Sequence, residues 1–329
     1  MSLPYWIIDV FSTTPYKGNP LAIVDNTTAN LSTTQLKLIT RQFNLSETTF
    51  FSKPSKAEAT YRLRSFLPDG REVFGAGHNI LGVWWFLASS GRLDLTSPKA
   101  VREDGTEEHV VFQELGTDVL PVTILKKGSE FSVALRQAPP QAHGVHPEPA
   151  SLAASIGLSA DEVGVAVNGP KGQVQLQPQV MSTSTTHHLL VPVSSVDALN
   201  KVSVQKDKLL EQLALVDKRA YGLFLFTPVE GKGERPSFQA RFFSPGMSGE
   251  DPATGSAAGP FSAYLYKSGA LAVDGDVGEI EVHQGLRVGR HCIIRVRIET
   301  AGELGVDLLG GGVEVADGTI RVPGEELGF

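Results

Sequence analysis

Glu47 is the one acid in an apolar run, Phe43-Asn-Leu-Ser-Glu-Thr-Thr-Phe-Phe51. Burial raises a carboxyl pKa and a nearby helix N-terminus lowers it, and the sequence does not decide between them. A carboxylate held there can act as a general base, or it is an ordinary exposed acid at a strand end. His78 stands in Gly75-Ala-Gly-His-Asn79, where a helix is expected to open. The dipole at a helix start disfavours an imidazolium, so a neutral ring that relays a proton is one reading and a local cap is the other. The densest small-residue segment is Gly249-Glu-Asp-Pro-Ala-Thr-Gly-Ser-Ala-Ala-Gly259. Such residues let backbone N–H groups approach a ligand closely, although a tightly packed helix start needs them too. Neither Gly-x-Gly-x-x-Gly nor Gly-Lys-Ser/Thr occurs in it, so it is no nucleotide fingerprint. Asp251 either caps the following helix or touches substrate. Ser256 lacks a nucleophile-elbow pattern and a base paired with it in sequence, which sets a serine hydrolase aside. His187-His188 has no third ligand at metal-binding spacing, so no metal site is expected.

The elements that position these residues occur as two copies of one pattern. Arg64-Ser-Phe-Leu-Pro68 leads to Gly75-Ala-Gly-His-Asn-Ile-Leu-Gly82, and Arg241-Phe-Phe-Ser-Pro245 leads to Asp251-Pro-Ala-Thr-Gly-Ser-Ala-Ala-Gly259. The Arg, the second Phe, the Pro and the last Gly recur at one offset, since 241−64, 243−66, 245−68 and 259−82 all equal 177. Each copy reads as a strand, a loop and a helix that opens on small residues. Two similar lobes are expected, with two helix N-termini facing a shared cleft suited to a small carboxylate.

Around these copies, residues 3–11, 20–24, 47–51 and 59–65 read as strands. Ser32-Thr-Thr-Gln35 is a capping box for a helix ending near Asn44. The helix after Gly77 is apolar nearly all round (Ile80, Leu81, Val83, Trp84, Trp85, Phe86, Leu87) and is therefore expected inside or against a curved sheet, with Gly91 as its stop. Residues 137–149 hold four prolines and are the best linker candidate. The second lobe is expected to have strands over 188–193, 220–227, 237–243, 279–283 and 291–299, and a helix over 254–267. Gly312 to Val322 reads as a closing hairpin about Asp317-Gly318. The lobes are expected at 1–127, completed by 310–329, and at 128–309.

Composition narrows the function. With 29 basic against 36 acidic residues, net −7, the chain of 329 residues is no general nucleic-acid binder. Cys292 is the single cysteine, which excludes an intramolecular disulfide and a cysteine-rich zinc site. The first residues show no signal-peptide pattern, and the longest apolar run, 80–88, is too short to span a bilayer. A cytoplasmic protein that contacts neither nucleic acid nor membrane is expected.

Five segments in order resemble the phenazine-biosynthesis PhzF-like family, relatives of diaminopimelate epimerase. They are Gly18-Asn-Pro-Leu-Ala-Ile-Val24, Asn44-Leu-Ser-Glu-Thr-Thr-Phe50, Gly75-Ala-Gly-His-Asn-Ile-Leu-Gly82, Glu250-Asp-Pro-Ala-Thr-Gly-Ser-Ala257, and His283-Gln-Gly285 with Gly289-Arg290. The resemblance implies an α+β fold of two lobes, each a curved mixed sheet or barrel around a central helix. It implies an active site between the lobes, no cofactor or metal, and a homodimer. Its implied chemistry is isomerisation of a dihydro-hydroxyanthranilate by moving a proton between carbons. Glu47 would then be the acid/base, with His78 and Asp251 assisting. Backbone groups near Gly77, His78, Gly255 and Ser256 would hold the carboxylate, with Asn19, Ser46, Asn79 and Gln284 as neighbouring contacts. The two cysteines of the epimerase relatives are absent: Ala76 and Asp251 stand at the matching places, which excludes two-thiol racemisation. Asn79 replaces a proline common in the family. A non-catalytic metabolite-binding or interaction protein of the same fold, or an epimerase on another acid, remains the alternative.

Overall fold

The structure is a computed structural model; it describes residues 1–74, 77–184, 186–231, 235–245 and 249–329. The chain forms two units, Met1–Leu135 with Leu309–Phe329, and Arg136–Leu308.

In the first unit, strand Ser2–Val10 pairs antiparallel with both Asn19–Asp25 and Gly312–Arg321. Asn19–Asp25 then runs parallel to Thr48–Ser52, which is antiparallel to Tyr61–Phe66. Tyr61–Phe66 is parallel to Glu107–Leu115, and the antiparallel strands Asp118–Lys127 and Glu130–Arg136 follow. Helix α1, Thr33–Phe43, fills the first parallel crossover. Its capping box is formed: Gln35 N donates to Ser32 Oγ at 3.4 Å, and Ser32 N donates to Gln35 Oε1 at 3.0 Å. Asn44 ends the helix in the left-handed region at φ 51°. Leu36 and Ile39 press α1 on Leu3, Val24, Phe50 and Phe66.

Helix α2, His78–Ser89, is enclosed by strands on several sides, including Ser2–Val10, Asn19–Asp25, Thr48–Ser52, Asp118–Lys127 and Gly312–Arg321. Its all-round apolarity has that cause: Ile80, Leu81, Val83, Trp84, Phe86 and Leu87 are all buried, each large side chain contributing roughly 1.5–3 kcal/mol. Trp84 can sit there because Gln113 Oε1 accepts its indole N–H at 2.9 Å.

The second unit repeats this ladder. Gln179–Ser182 is antiparallel to His187–Pro192, which runs parallel to Gly222–Val229. Ser237–Phe243 is antiparallel to Gly222–Val229 and parallel to Val277–Gln284, and Cys292–Glu299 follows antiparallel. The order of antiparallel and parallel pairs is the same as in the first unit. Helices α3 (Pro149–Ser155), α4 (Val196–Lys201) and α5 (Lys206–Val216) pack Leu152, Leu199, Leu209 and Leu213 on Val180, Leu189, Val191, Leu223 and Leu225. Helix α6, Gly255–Lys267, is the counterpart of α2, buried nearly throughout and in contact with strands Gln179–Ser182, His187–Pro192, Val277–Gln284 and Cys292–Glu299.

The expected α+β fold is observed. Two local expectations are corrected. Gly312–Arg321 is one ten-residue strand and not a hairpin about Asp317-Gly318, because its pairing to Ser2–Val10, unbroken from Ala316 to Arg321 and shifted by one residue only beyond Ile7, outweighs the local turn preference. The proline-rich stretch is no plain linker: Gln141–Val145 is a strand paired to Gln179–Ser182, with the prolines outside it. No helix among the described residues is long and apolar enough to cross a membrane.

Candidate active site

Each copy of the repeat builds a turn that leads into its central helix. Phe66 pairs with Glu72 across the first hairpin, and Phe243 pairs with Glu250 across the second. A guanidinium braces each: Arg64 Nε and Nη2 donate to the two Glu72 oxygens at 2.7 Å, and Arg241 Nε donates to Glu250 Oε2 at 3.0 Å. Charge-assisted pairs of this kind fix a loop geometrically. The central helices then start at His78 and Gly255, again 177 residues apart.

In the first unit the left-handed turn at Asn44 releases the chain, and Ser46 and Glu47 follow before the buried strand Thr48–Ser52. Ser46 Oγ donates to Asn19 Oδ1 at 3.2 Å, and Asn19 is fully buried. Glu47 Oε2 lies 3.3 Å from His78 Nε2. The Glu47 side chain keeps 19% of its surface, yet Oε2 itself is sealed from solvent. Loss of hydration pushes the Glu47 pKa up to about 7. Such a carboxyl carries its proton about half the time near neutrality, the condition for giving and taking one. His78 is the first residue of α2 and is buried, as is Asn79. The N-cap, Gly77, supplies no side-chain cap and no acid sits in the first turn, so the N-terminus of α2 carries no side-chain anion of its own. Ala76, the expected cysteine counterpart, lies outside the described residues.

In the second unit Asp251, Thr254 and Gln284 form one network. Thr254 Oγ1 donates to Asp251 Oδ2 at 2.7 Å and accepts from Gln284 Nε2 at 2.9 Å. Gln284 Nε2 also donates to the Asp251 carbonyl at 2.7 Å, while its Oε1 accepts from Thr254 N at 3.2 Å. Asp251 therefore braces the turn into α6 through Thr254. Gln284 is fully buried. The Gly285 that follows is at φ 80°, where a Cβ would meet the Arg290 carbonyl at 2.0 Å and the Pro252 carbonyl at 2.8 Å. Only glycine lets this strand end meet the Asp251 turn.

Ser256 meets His188, considered above only as a metal ligand. His188 Nε2 lies 3.3 Å from Ser256 Oγ. The His188 ring is buried, with Tyr221 4.9 Å away and Phe242 5.1 Å away between ring centroids. Burial, assisted by neighbouring His187, pulls its pKa down to about 3, so the ring is neutral at physiological pH. Strand alternation was the available signal: His187 and His188 must face opposite sides of their sheet, and one of them must face the helix. Thr254 carried no signal beyond its place before a helix.

The structure thus joins Glu47 to His78 and Asn19 to Ser46 in one unit, and Asp251 to Gln284 in the other. Gly77 and Asn79 flank His78, and Gly255 opens α6.

Comparison with known proteins identifies the family. The profile of the family described as phenazine biosynthesis-like protein matches residues 8–318. The trans-2,3-dihydro-3-hydroxyanthranilate isomerase of Pseudomonas aeruginosa is 28% identical over 319 residues, 95% of this chain and 98% of that protein. An uncharacterized isomerase of Mesorhizobium japonicum is 28% identical over 323 residues, covering 97% and 98%. The crystal structure of a Bacillus anthracis PhzF-family protein superimposes with a TM-score of 0.80 at 23% identity, covering 98% of this chain and 100% of that one. The chain belongs to the phenazine biosynthesis-like protein family and is an isomerase of the PhzF type.

Proposed function

We propose that this isomerase moves a proton between two carbons of a small unsaturated or cyclic carboxylate resembling dihydro-hydroxyanthranilate, with Glu47 as general acid/base. The supporting observation is the Glu47 carboxyl itself, sealed at Oε2, 3.3 Å from His78 Nε2 and raised to about 7. Glu47 as carboxylate takes a proton from a C–H bond, and the electron pair left behind spreads through the substrate's conjugated system. Protonated Glu47, whose acid proton exchanges with water in competition with return, delivers a proton to a different carbon. Nothing is gained or lost overall, so the step needs no oxidant and no second substrate. His78 positions the Glu47 carboxyl and hydrogen-bonds the reacting system. The first turn of α2, at Gly77, His78 and Asn79, holds the substrate carboxylate through backbone N–H groups, contributing about 0.3–1 kcal/mol through the dipole and up to ~2 when partly buried. Asn19 and Ser46 hold the approach to Glu47 in place.

Gly255 and Ser256 play the matching anion-binding part at the start of α6, with Asp251, Thr254 and Gln284 fixing that turn. His188 is a positioning residue that orients the Ser256 hydroxyl.

The test is deuterium uptake from heavy water, followed by NMR, on cyclic and acyclic unsaturated carboxylates. The native enzyme labels and isomerises a member of this set, and Glu47→Gln does neither at a comparable rate. Full turnover by Glu47→Gln on a substrate that the native enzyme converts overturns the assignment.

A further inference from the structure

His187 was set aside as a metal ligand for want of a partner at useful spacing, and the fold supplies partners from two other segments. His143 lies on strand Gln141–Val145, and His187 opens strand His187–Pro192. Strand Gln179–Ser182 runs between them, and its Ser182 pairs with both Gln141 and His187. The two imidazoles meet across it, with centroids 5.5 Å apart and planes 30° from parallel. Ser182 Oγ holds His143 Nε2 at 2.7 Å, and Gln179 Nε2 donates to the His143 carbonyl at 2.8 Å. Asp217 arrives from the C-cap of α5 and brings Oδ2 to 3.3 Å from His187 Nδ1. Tyr221 N donates to the His187 carbonyl at 3.1 Å and ties this connection to the strand.

We propose that His143, His187 and Asp217 form a binding site for a divalent transition cation of the zinc type, remote in role from proton transfer and acting as a clip between two strands and α5. The three ligand atoms lie within 4.8 Å of one another. The 3.3 Å edge between His187 Nδ1 and Asp217 Oδ2 is close to the edge of a tetrahedron with metal bonds of about 2.0–2.1 Å. His187 Nδ1 is buried and makes no hydrogen bond, while its side chain is only 16% exposed. A buried imidazole nitrogen without a hydrogen bond is costly unless something binds it. Two neutral imidazoles and one carboxylate suit zinc, and water completes the fourth position. Ser182 then acts as the outer partner that fixes the His143 ring.

One side chain competes for the site. Arg219 Nη2 donates to Asp217 Oδ2 at 2.9 Å and Nε donates to Oδ1 at 3.1 Å. Its side chain is 65% exposed, so it can swing into solvent at small cost when a cation takes Oδ2. The bland alternative is an Asp217–Arg219 surface pair with a histidine beside it, and the two accounts give opposite results.

The experiment titrates the full-length, chelator-stripped protein with zinc chloride by calorimetry, and records the visible spectrum with cobalt(II) in its place. One equivalent binds, cobalt gives the intense bands of a tetrahedral site, and zinc raises the melting temperature. His143→Gln, at a half-exposed position, weakens binding by about tenfold or more. Arg219→Ala removes the competitor and strengthens binding several-fold. His283→Ala, in the separate pair formed with His291 at 2.9 Å, changes nothing. Absence of stoichiometric binding, binding that survives His143→Gln unchanged, or weaker binding in Arg219→Ala overturns the site.

Discussion

The repeat makes two residues of the first lobe equivalent to two residues of the second. Thr48 pairs with Phe66, and Leu223 pairs with Phe243, the repeat equivalent of Phe66. Stepping back one residue sets Glu47 against Gly222. The helix starts set His78 against Gly255. The acid and the imidazole of one lobe are therefore both glycines in the other. The space is not empty in the second lobe. A Cβ on Gly222 would lie 2.5 Å from His188 Nδ1 and 2.5 Å from Phe242 Cζ, so a neutral imidazole and a phenyl ring fill the room beside that position. A Cβ on Gly255 would meet Leu308 Cδ2 at 2.5 Å. One scaffold occurs twice, and the titratable pair stands in only one copy. The other copy keeps the brace, Arg241 to Glu250, and a polar turn locked by Gln284.

The sharpest way to break this comparison is kinetic. Glu47→Gln is expected to lose about 10²–10⁴ in turnover, the usual worth of a positioned acid/base. Ser256→Ala, in the matching turn of the second lobe, is expected to lose less than about tenfold because it removes a binding contact and leaves the proton carrier in place. Steady-state rates on one substrate decide it, and the reverse order sinks the division of labour.

A second measurement reads Glu47 through stability. Its folded pKa is raised from 4.5 to about 7, so the protonated form favours the fold. That contribution is complete below about pH 4.5 and fades as pH rises through 7. The whole window spans about 3 kcal/mol. Glu47→Gln keeps a neutral amide throughout, so its melting temperature should gain on the native protein steadily between pH 4.5 and 7.5 and change little relative to it outside that range. A constant difference across the window would mean an ordinary, hydrated carboxyl.

The second lobe is tested by filling its glycine. Gly222→Ala forces a methyl group onto two rings and should cost about 1–3 kcal/mol in denaturant unfolding. Gly77→Ala, whose nearest neighbour would be Asn79 Oδ1 at 3.5 Å, should cost about 1 kcal/mol or less. Thr254→Val, which removes the hydroxyl between Asp251 and Gln284, should cost about 1 kcal/mol by the same assay.

Much of this was legible because strong local rules and tertiary structure agree. Ser32 and Gln35 mark the start of α1 by chemistry that acts within four residues. The all-round apolar face of α2 announced an enclosed helix. The offset of 177 carried from sequence into the hairpins and both helix starts. Illegible features were those decided at a distance. Asp317-Gly318 has the composition of a turn, but its neighbours find partners in Ser2–Val10 and stay extended. His188 looked idle until its strand was placed against α6. Asp217 and His143 are 74 residues apart and meet only through the pairing of three strands.

The pairing of Ser2–Val10 with Gly312–Arg321 has a consequence for synthesis on the ribosome. Residues 136–308 are contiguous and contain their own ladder and core helix, so this unit can close while the chain is still growing. The outer unit cannot. Its opening strand keeps one hydrogen-bonding edge unsatisfied until the last strand emerges some 300 residues later, and an open edge of that kind invites wrong partners. Strand order alone thus sets the sequence of events: the inserted half matures first, and the half that holds Glu47 is completed last.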